Sequence, residues 1–252
     1  MSGFPNAAFR LLVGLGLAGL LAACGADHDL DCLKSNGRPV VQRRAIARHL
    51  LKVEVHDNVD VTIVPDTASY AEVRAGENVI NDIEFSSPAP QQLVIRNTSR
   101  CNWARSYDTP REVRLHLPYL RELVQQGYGL LSTASQLRQD TLFLRTLSAG
   151  DVNMDVNVTY LFVDVYDAGD MTLRGFAHDF HPNIGSNGFL LAGGLLTDYC
   201  YFRTFPTWIG DIHVQARLAL GGFMYGKGRL FYTGQPANID FQGPNAGNAQ
   251  RE

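Results

Sequence analysis

Apolar and polar side chains alternate along much of this chain with the period of two that belongs to β-strands. Val53-Glu54-Val55, Val59-Asp60-Val61-Thr62-Ile63, Tyr70-Ala71-Glu72-Val73, Ile83-Glu84-Phe85, Leu93-Val94-Ile95 and Val113-Arg114-Leu115-His116-Leu117 each read as a half-buried strand. Pro65-Asp66, Ala75-Gly76-Glu77-Asn78 and Ser87-Pro88-Ala89-Pro90 separate them as turns. A second, longer period then takes over. Gly129, Gly150, Gly169, Gly188, Gly210, Gly228 and Gly247 recur at intervals of 21, 19, 19, 22, 18 and 19 residues. Two places after each glycine stand Leu131, Val152, Met171, Leu190, Ile212, Leu230 and Ala249. Eight places before stand Leu142, Leu161, Phe180, Phe202, Leu220 and Ile239, with Arg121 the exception.

These positions keep step with one another, which spacing of a common residue alone would not produce. They predict an all-β fold, a parallel β-solenoid with about twenty residues per coil. Its apolar positions would stack from coil to coil at about 4.8 Å, and each glycine would supply a corner where φ can be positive. An antiparallel meander would instead turn every 8 to 12 residues or so. Leu120 to Gln126 lies in the repeat frame and is expected as strand, not helix.

The N-terminus departs from both patterns. Arg10 precedes an unbroken apolar run, Leu11 to Ala23, too short to span a bilayer, which takes about 20 residues. That is an export signal. Leu21-Ala22-Ala23-Cys24 resembles a bacterial lipobox, making Cys24 the lipidated first residue after cleavage. The expected layout is a signal peptide over 1–23, a tether over 24–31, one domain over 32–243 and a polar tail over 244–252 that can cap an open end. Gly25 rather than Asp after the cysteine favours the outer membrane. Export implies an oxidising compartment. Cys32 and Cys101 sit in polar, turn-like surroundings while Cys200 lies in an aromatic strand, so a Cys32–Cys101 disulfide is expected. It would close a loop of about 70 residues and add roughly 4 kcal/mol.

Composition narrows the partners. In 252 residues with a formal net charge of −3, 22 Lys and Arg against 25 Asp and Glu form no basic run, which excludes a nucleic-acid role. No hydrolase, zinc-protease or nucleotide-binding motif occurs in its required context, and no metal or other cofactor is called for.

Asp31-Cys32-Leu33-Lys34-Ser35-Asn36-Gly37, Val53-Glu54-Val55-His56-Asp57-Asn58-Val59, Arg74-Ala75-Gly76-Glu77-Asn78, Leu93-Val94-Ile95-Arg96-Asn97, Cys101-Asn102-Trp103-Ala104-Arg105-Ser106-Tyr107 and Tyr232-Thr233-Gly234-Gln235-Pro236 resemble the putative auto-transporter adhesin, head GIN domain family. The resemblance covers nearly all of the chain after the signal peptide. It implies a right-handed β-helix-like solenoid in an exported protein or lipoprotein, and it brings no catalytic residue. Family corners commonly read Gly-Ser-Gly; here Gly127-Tyr128-Gly129, Ala168-Gly169-Asp170 and Ile209-Gly210-Asp211 make one corner bulkier and more charged.

Two clusters are candidates for chemistry. Asp151 and Asp170 share a repeat position, so neighbouring coils would hold them about 5 Å apart. Stacked carboxylates bind cations or act as an acid/base pair, whereas Asp after Gly is also ordinary turn chemistry. Tyr199, Tyr201 and Trp208 belong to an aromatic cluster that, if exposed, suits sugar stacking or a protein interface. The reading that follows is a lipid-anchored envelope protein, periplasmic or surface-facing, with a non-enzymatic adhesion or ligand-binding solenoid. Its partners would be the membrane, through the N-terminal lipid, and a glycan or protein ligand. The alternatives are a carbohydrate-active β-helix enzyme using the stacked aspartates, and a periplasmic scaffold.

Overall fold

The structure, a computed structural model, describes residues 35–99 and 109–252, and their alternating stretches become seventeen strands of one continuous, curled sheet. The first seven are β1 (Pro39–Ala45), β2 (Lys52–Asp57), β3 (Asp60–Pro65), β4 (Tyr70–Gly76), β5 (Ile83–Ser86), β6 (Gln92–Asn97) and β7 (Arg111–Leu117). After β8 (Glu122–Gly127) and β9 (Leu131–Thr133) come five long strands: β10 (Leu137–Thr146), β11 (Val152–Val165), β12 (Met171–Ile184), β13 (Leu190–Thr204) and β14 (Asp211–Phe223). The chain closes with β15 (Arg229–Thr233), β16 (Asn238–Gln242) and β17 (Ala249–Arg251). The described residues contain no α-helix.

The long strands explain the repeat. Along β11 the buried positions are Val152, Met154, Val156 and Val158, then Leu161, Val163 and Val165, so the inward parity flips beside exposed Tyr160. A strand keeps one parity on one face, so the flip marks a bend, and each long strand serves two consecutive coils. One coil is the second half of a strand, a glycine corner, and the first half of the next. The solenoid therefore has two walls, each a parallel ladder.

On one wall the register joins Val113, Val61, Leu131, Val152, Met171, Leu190, Ile212, Leu230 and Ala249 in a single inward column. On the other it joins Leu142, Leu161, Phe180, Cys200, Leu220 and Ile239. Cys200, not Phe202, continues the second column. The 22-residue interval before Gly210 moves the frame, with register shifts between Ala192 and Leu196 and between Thr197 and Tyr199. Both columns are buried from Leu131 to Leu230 and from Leu142 to Leu220, and only the terminal members Ala249 and Ile239 reach solvent; burial of this kind contributes roughly 25 cal/mol per Å² of apolar surface.

The corner glycines are there for a different reason than positive φ. None of the seven adopts it. Instead, a Cβ on Gly150 would lie 2.5 Å from the Gly129 carbonyl oxygen and one on Gly210 would lie 2.6 Å from that of Gly188. Gly169, Gly188 and Gly228 abut the carbonyl of the glycine below in the same way. The coils approach so closely at this corner that no side chain fits between them. Gly247 departs from this rule: it lies in the 3-10 turn Ala246–Asn248, and a Cβ there would meet nothing within 4 Å.

The N-terminal end is built out of order. Strands β2 and β3 pair in parallel with β6 and β7 on one side and with β8 and β9 on the other. Strands β4 and β5 then run antiparallel to β7 and β6, and β1 runs antiparallel to β4, which closes this end with antiparallel strands. At the other end the stretch expected as a polar tail is part of the solenoid. Strand β17 pairs with β15 from Leu230↔Ala249 to Tyr232↔Arg251 and adds a further rung to the parallel ladder.

Candidate functional site

The outer surface of the second wall carries a file of stacked rings. Phe143 and Phe162 lie 4.7 Å apart between centroids at 11°, Phe162 and His181 5.1 Å at 14°, and His181 and Tyr201 6.1 Å at 28°. The parallel register generates it, since Phe143, Phe162 and His181 are exact coil neighbours. Rings stacked along the axis cover one another's faces and leave only edges to solvent. The file can offer a face only at its ends. At one end the Arg121 guanidinium lies 5.8 Å from the Phe143 ring centroid.

At the other end the face of Tyr201 is uncovered, because its register partner is Gly221. Tyr199 stands beside it on β13, two residues away, with its ring nearly parallel to that of Tyr201 at 13° and 6.5 Å between centroids. The register partner of Tyr199 is Ala219. Two tyrosine faces thus look onto two small residues, and the next coil again carries long polar side chains, Asn238 opposite Ala219 and Asp240 opposite Gly221. The result is a groove of about 690 Å³ lined by Tyr199, Tyr201, Arg203, Gly221, Asn238 and Asp240, among others. That lies within the size range of small-molecule sites, about 300–1,000 Å³.

The electrostatics beside the file are mostly self-satisfied. Arg145 donates to Asp164 at 3.0 Å and Asn183 donates to the other Asp164 oxygen at 3.0 Å. Burial, then the Asp164 charge, pushes the Tyr166 hydroxyl up from its ordinary pKa. The charged residues lining the groove are Arg203, whose guanidinium lies 6.0 Å from the Phe223 ring centroid, and Asp240, whose carboxylate accepts from Gln242 Nε2 at 2.7 Å. Next to Tyr199, His178 Nδ1 lies 2.8 Å from the buried Asp198 carboxylate, which also meets Arg217 at 2.7 Å.

The expected site residues divide. Tyr199 and Tyr201 come together at the groove, Tyr201 with 47% of its surface exposed. Trp208 does not join them. It is fully buried in the glycine corner, where Gly228 leaves room for its indole and its carbonyl accepts from Lys227 N, so its ring has no face for a ligand. Asp151 and Asp170 take up duty in the corner itself. Asp170 N donates to Asp151 Oδ1 at 2.9 Å and Phe189 N to Asp170 Oδ1 at 2.9 Å as a ladder, and two layers before Asp151 the same bond is made by Asp60, which accepts from Leu130 N at 2.8 Å. Asp211 instead binds Arg229 through two bonds, and this hydrogen bonding and charge raise the Arg229 pKa. Cys24, Cys32 and Cys101 lie outside the described residues. Cys200 is a buried free thiol whose pKa burial pushes up.

Sequence reasoning missed Ala219, Gly221, Asn238 and Asp240. The available signal was the spacing of Phe143, Phe162 and His181, 19 residues apart, continued in steps of 20 through Tyr201 to Gly221, the glycine that interrupts the file.

Residues 49–236 match the family described as putative auto-transporter adhesin, head GIN domain. The chain belongs to that family. Solved structures share this fold at low sequence identity. A putative adhesin from Bacteroides fragilis has a TM-score of 0.71 at 16% identity, covering 82% of this chain and 94% of that one. A putative lipid binding protein from Parabacteroides distasonis has a TM-score of 0.64 at 16% identity, with 86% and 98% covered. A putative adhesin from Parabacteroides merdae has a TM-score of 0.58 at 16% identity, with 86% and 97% covered. At such identity the likeness concerns the fold. No curated protein matches the sequence.

Proposed function

We propose that this head GIN domain is a non-catalytic adhesion or ligand-binding protein of the bacterial outer membrane, anchored by a lipid on Cys24, with Cys32 and Cys101 joined in a disulfide. The observation that carries the binding role is the uncovered pair of tyrosine faces over Ala219 and Gly221. Exposed flat rings with polar neighbours suit recognition, and the interior columns are filled by packed apolar side chains, which leaves the outer surface for a ligand. The names given to two of the relatives, putative adhesins, agree with this role. Envelope anchoring rests on the lipobox from Leu21 to Cys24. A carbohydrate-cleaving role for Asp151 and Asp170 loses its support, since each holds a backbone N–H of the next coil.

The test uses the full chain displayed in a bacterial host. Labelled palmitate should enter the wild type and not Cys24→Ser, and protease added to intact cells should report which side of the membrane the domain faces. Displaying cells should be retained on surfaces coated with envelope or host glycans and proteins, and the Tyr199→Ala/Tyr201→Ala double variant should lose that retention. Equal retention by the double variant would remove the tyrosine platform from the function.

A further inference from the structure

We infer that the groove at the end of the ring file is a slot for two adjacent units of a neutral glycan, which lie on the Tyr199 and Tyr201 rings as the next layer of the stack. This rests on the ligand-binding role proposed above and specifies its chemistry.

The slot has the shape of a missing layer. Along the file each coil contributes one ring, and at β14 the ring is replaced by Gly221. The gap is fixed by backbone, because a Cβ on Gly222, at φ +153°, would strike the Phe202 carbonyl and one on Gly221 would lie 2.9 Å from the Asp240 carbonyl oxygen. Its floor is two rings wide, 6.5 Å between centroids along the strand. That spacing is close to the length of one sugar unit, so a disaccharide can place one C–H face on each tyrosine.

The walls choose among flat ligands. Arg203, Asn238, Asp240 and Gln242 supply hydrogen-bond donors and acceptors, and the two charges among them cancel. A fatty acyl chain or an aromatic side chain of a protein would desolvate these polar groups without replacing their hydrogen bonds. An acidic sugar or a phosphate would face Asp240 without a surplus of positive charge. A ring with an apolar face and hydroxyls at its edge satisfies the floor and the walls together.

The test is titration of the full chain in detergent with neutral and uronic-acid-containing disaccharides to tetrasaccharides, read by calorimetry and tyrosine fluorescence. Saturable binding of at least one neutral series is expected. Tyr201→Ala should weaken it about tenfold or more and Asp240→Ala several-fold, while Phe162→Ala, whose faces are already covered within the file, should stay within about twofold. Thermal melting keeps the comparison fair, since Tyr201 and Asp240 are both exposed. Absence of neutral-sugar binding, preference for the acidic series, or binding insensitive to Tyr201→Ala would each overturn the slot. If the displayed chain still loses surface retention with the double tyrosine variant while no neutral sugar binds, the glycan assignment falls and the binding role stands. If neither assay responds to the tyrosines, both fall.

Discussion

The glycine corner and the ring file run side by side along the same axis, one coil per step, yet they obey opposite rules. At the corner the residue stays glycine from Gly129 to Gly228, because each coil's carbonyl occupies the place of the next coil's Cβ. On the outer face the side chain changes at every step after two phenylalanines, through His181 and Tyr201 to Gly221 and Asp240. Coil stacking forbids variation where backbones touch and permits it where side chains point to water. In a solenoid the constant column is scaffold, and function belongs where a column breaks its own pattern.

The largest expected effect tests where Trp208 belongs. If its indole is part of the corner's packing, Trp208→Ala should cost about 3–5 kcal/mol in urea unfolding, and Cys200, buried in the folded state, should become open to alkylation at lower urea. A loss below about 1 kcal/mol would return Trp208 to the surface. Next comes the corner itself. Gly169→Ala adds one methyl against the Gly150 carbonyl and should cost about 2–3 kcal/mol, whereas glycine to alanine at an unstrained site stabilises slightly. A neutral result would dissolve the contrast between the two columns. Smaller still, Asp170→Ala removes one carboxylate from the corner ladder and leaves Phe189 N without that partner, for about 1 kcal/mol. The smallest change in stability is expected on the face: Tyr201→Ala should stay within about 0.5 kcal/mol of wild type in the same urea assay, with its effect appearing in binding. A loss as great as that of Trp208→Ala would make the file a structural brace.

Much of the scaffold was legible because it rests on two periods that composition cannot imitate. The alternation of Val53-Glu54-Val55 and its companions located β2 to β7, and the residues two places after the glycines form an inward column as expected. Three things were hidden. The physical role of the glycines is an approach between segments about twenty residues apart, which local φ preferences do not report. The antiparallel strand β1, with exposed Val40 and Val41, has no strong alternation in burial to announce it. The aromatic cluster near 199–208 was visible, but not its division, because the longer interval before Gly210 shifts the frame and turns Trp208 inward while Tyr199 and Tyr201 stay outside. The groove was hidden for a related reason: it is made by residues that are small, Ala219 and Gly221, and small residues signal nothing until their neighbours in the stack are known.

The lodging of β2 and β3 between strands that come later in the chain sets the order in which this molecule can be assembled. Thr62 Oγ1 and Ser132 Oγ, 3.1 Å apart, are separated by 70 residues, so a chain released from its N-terminus holds that layer with one flank open until residue 133 has followed. Loop closure over such a distance is the slow step of β-topologies. Past it, every layer closes on the one before within about a single repeat, and growth becomes templated. Shortening from the C-terminus should therefore remove layers one by one. Shortening past residue 65 from the other side removes the seed on which all of them align.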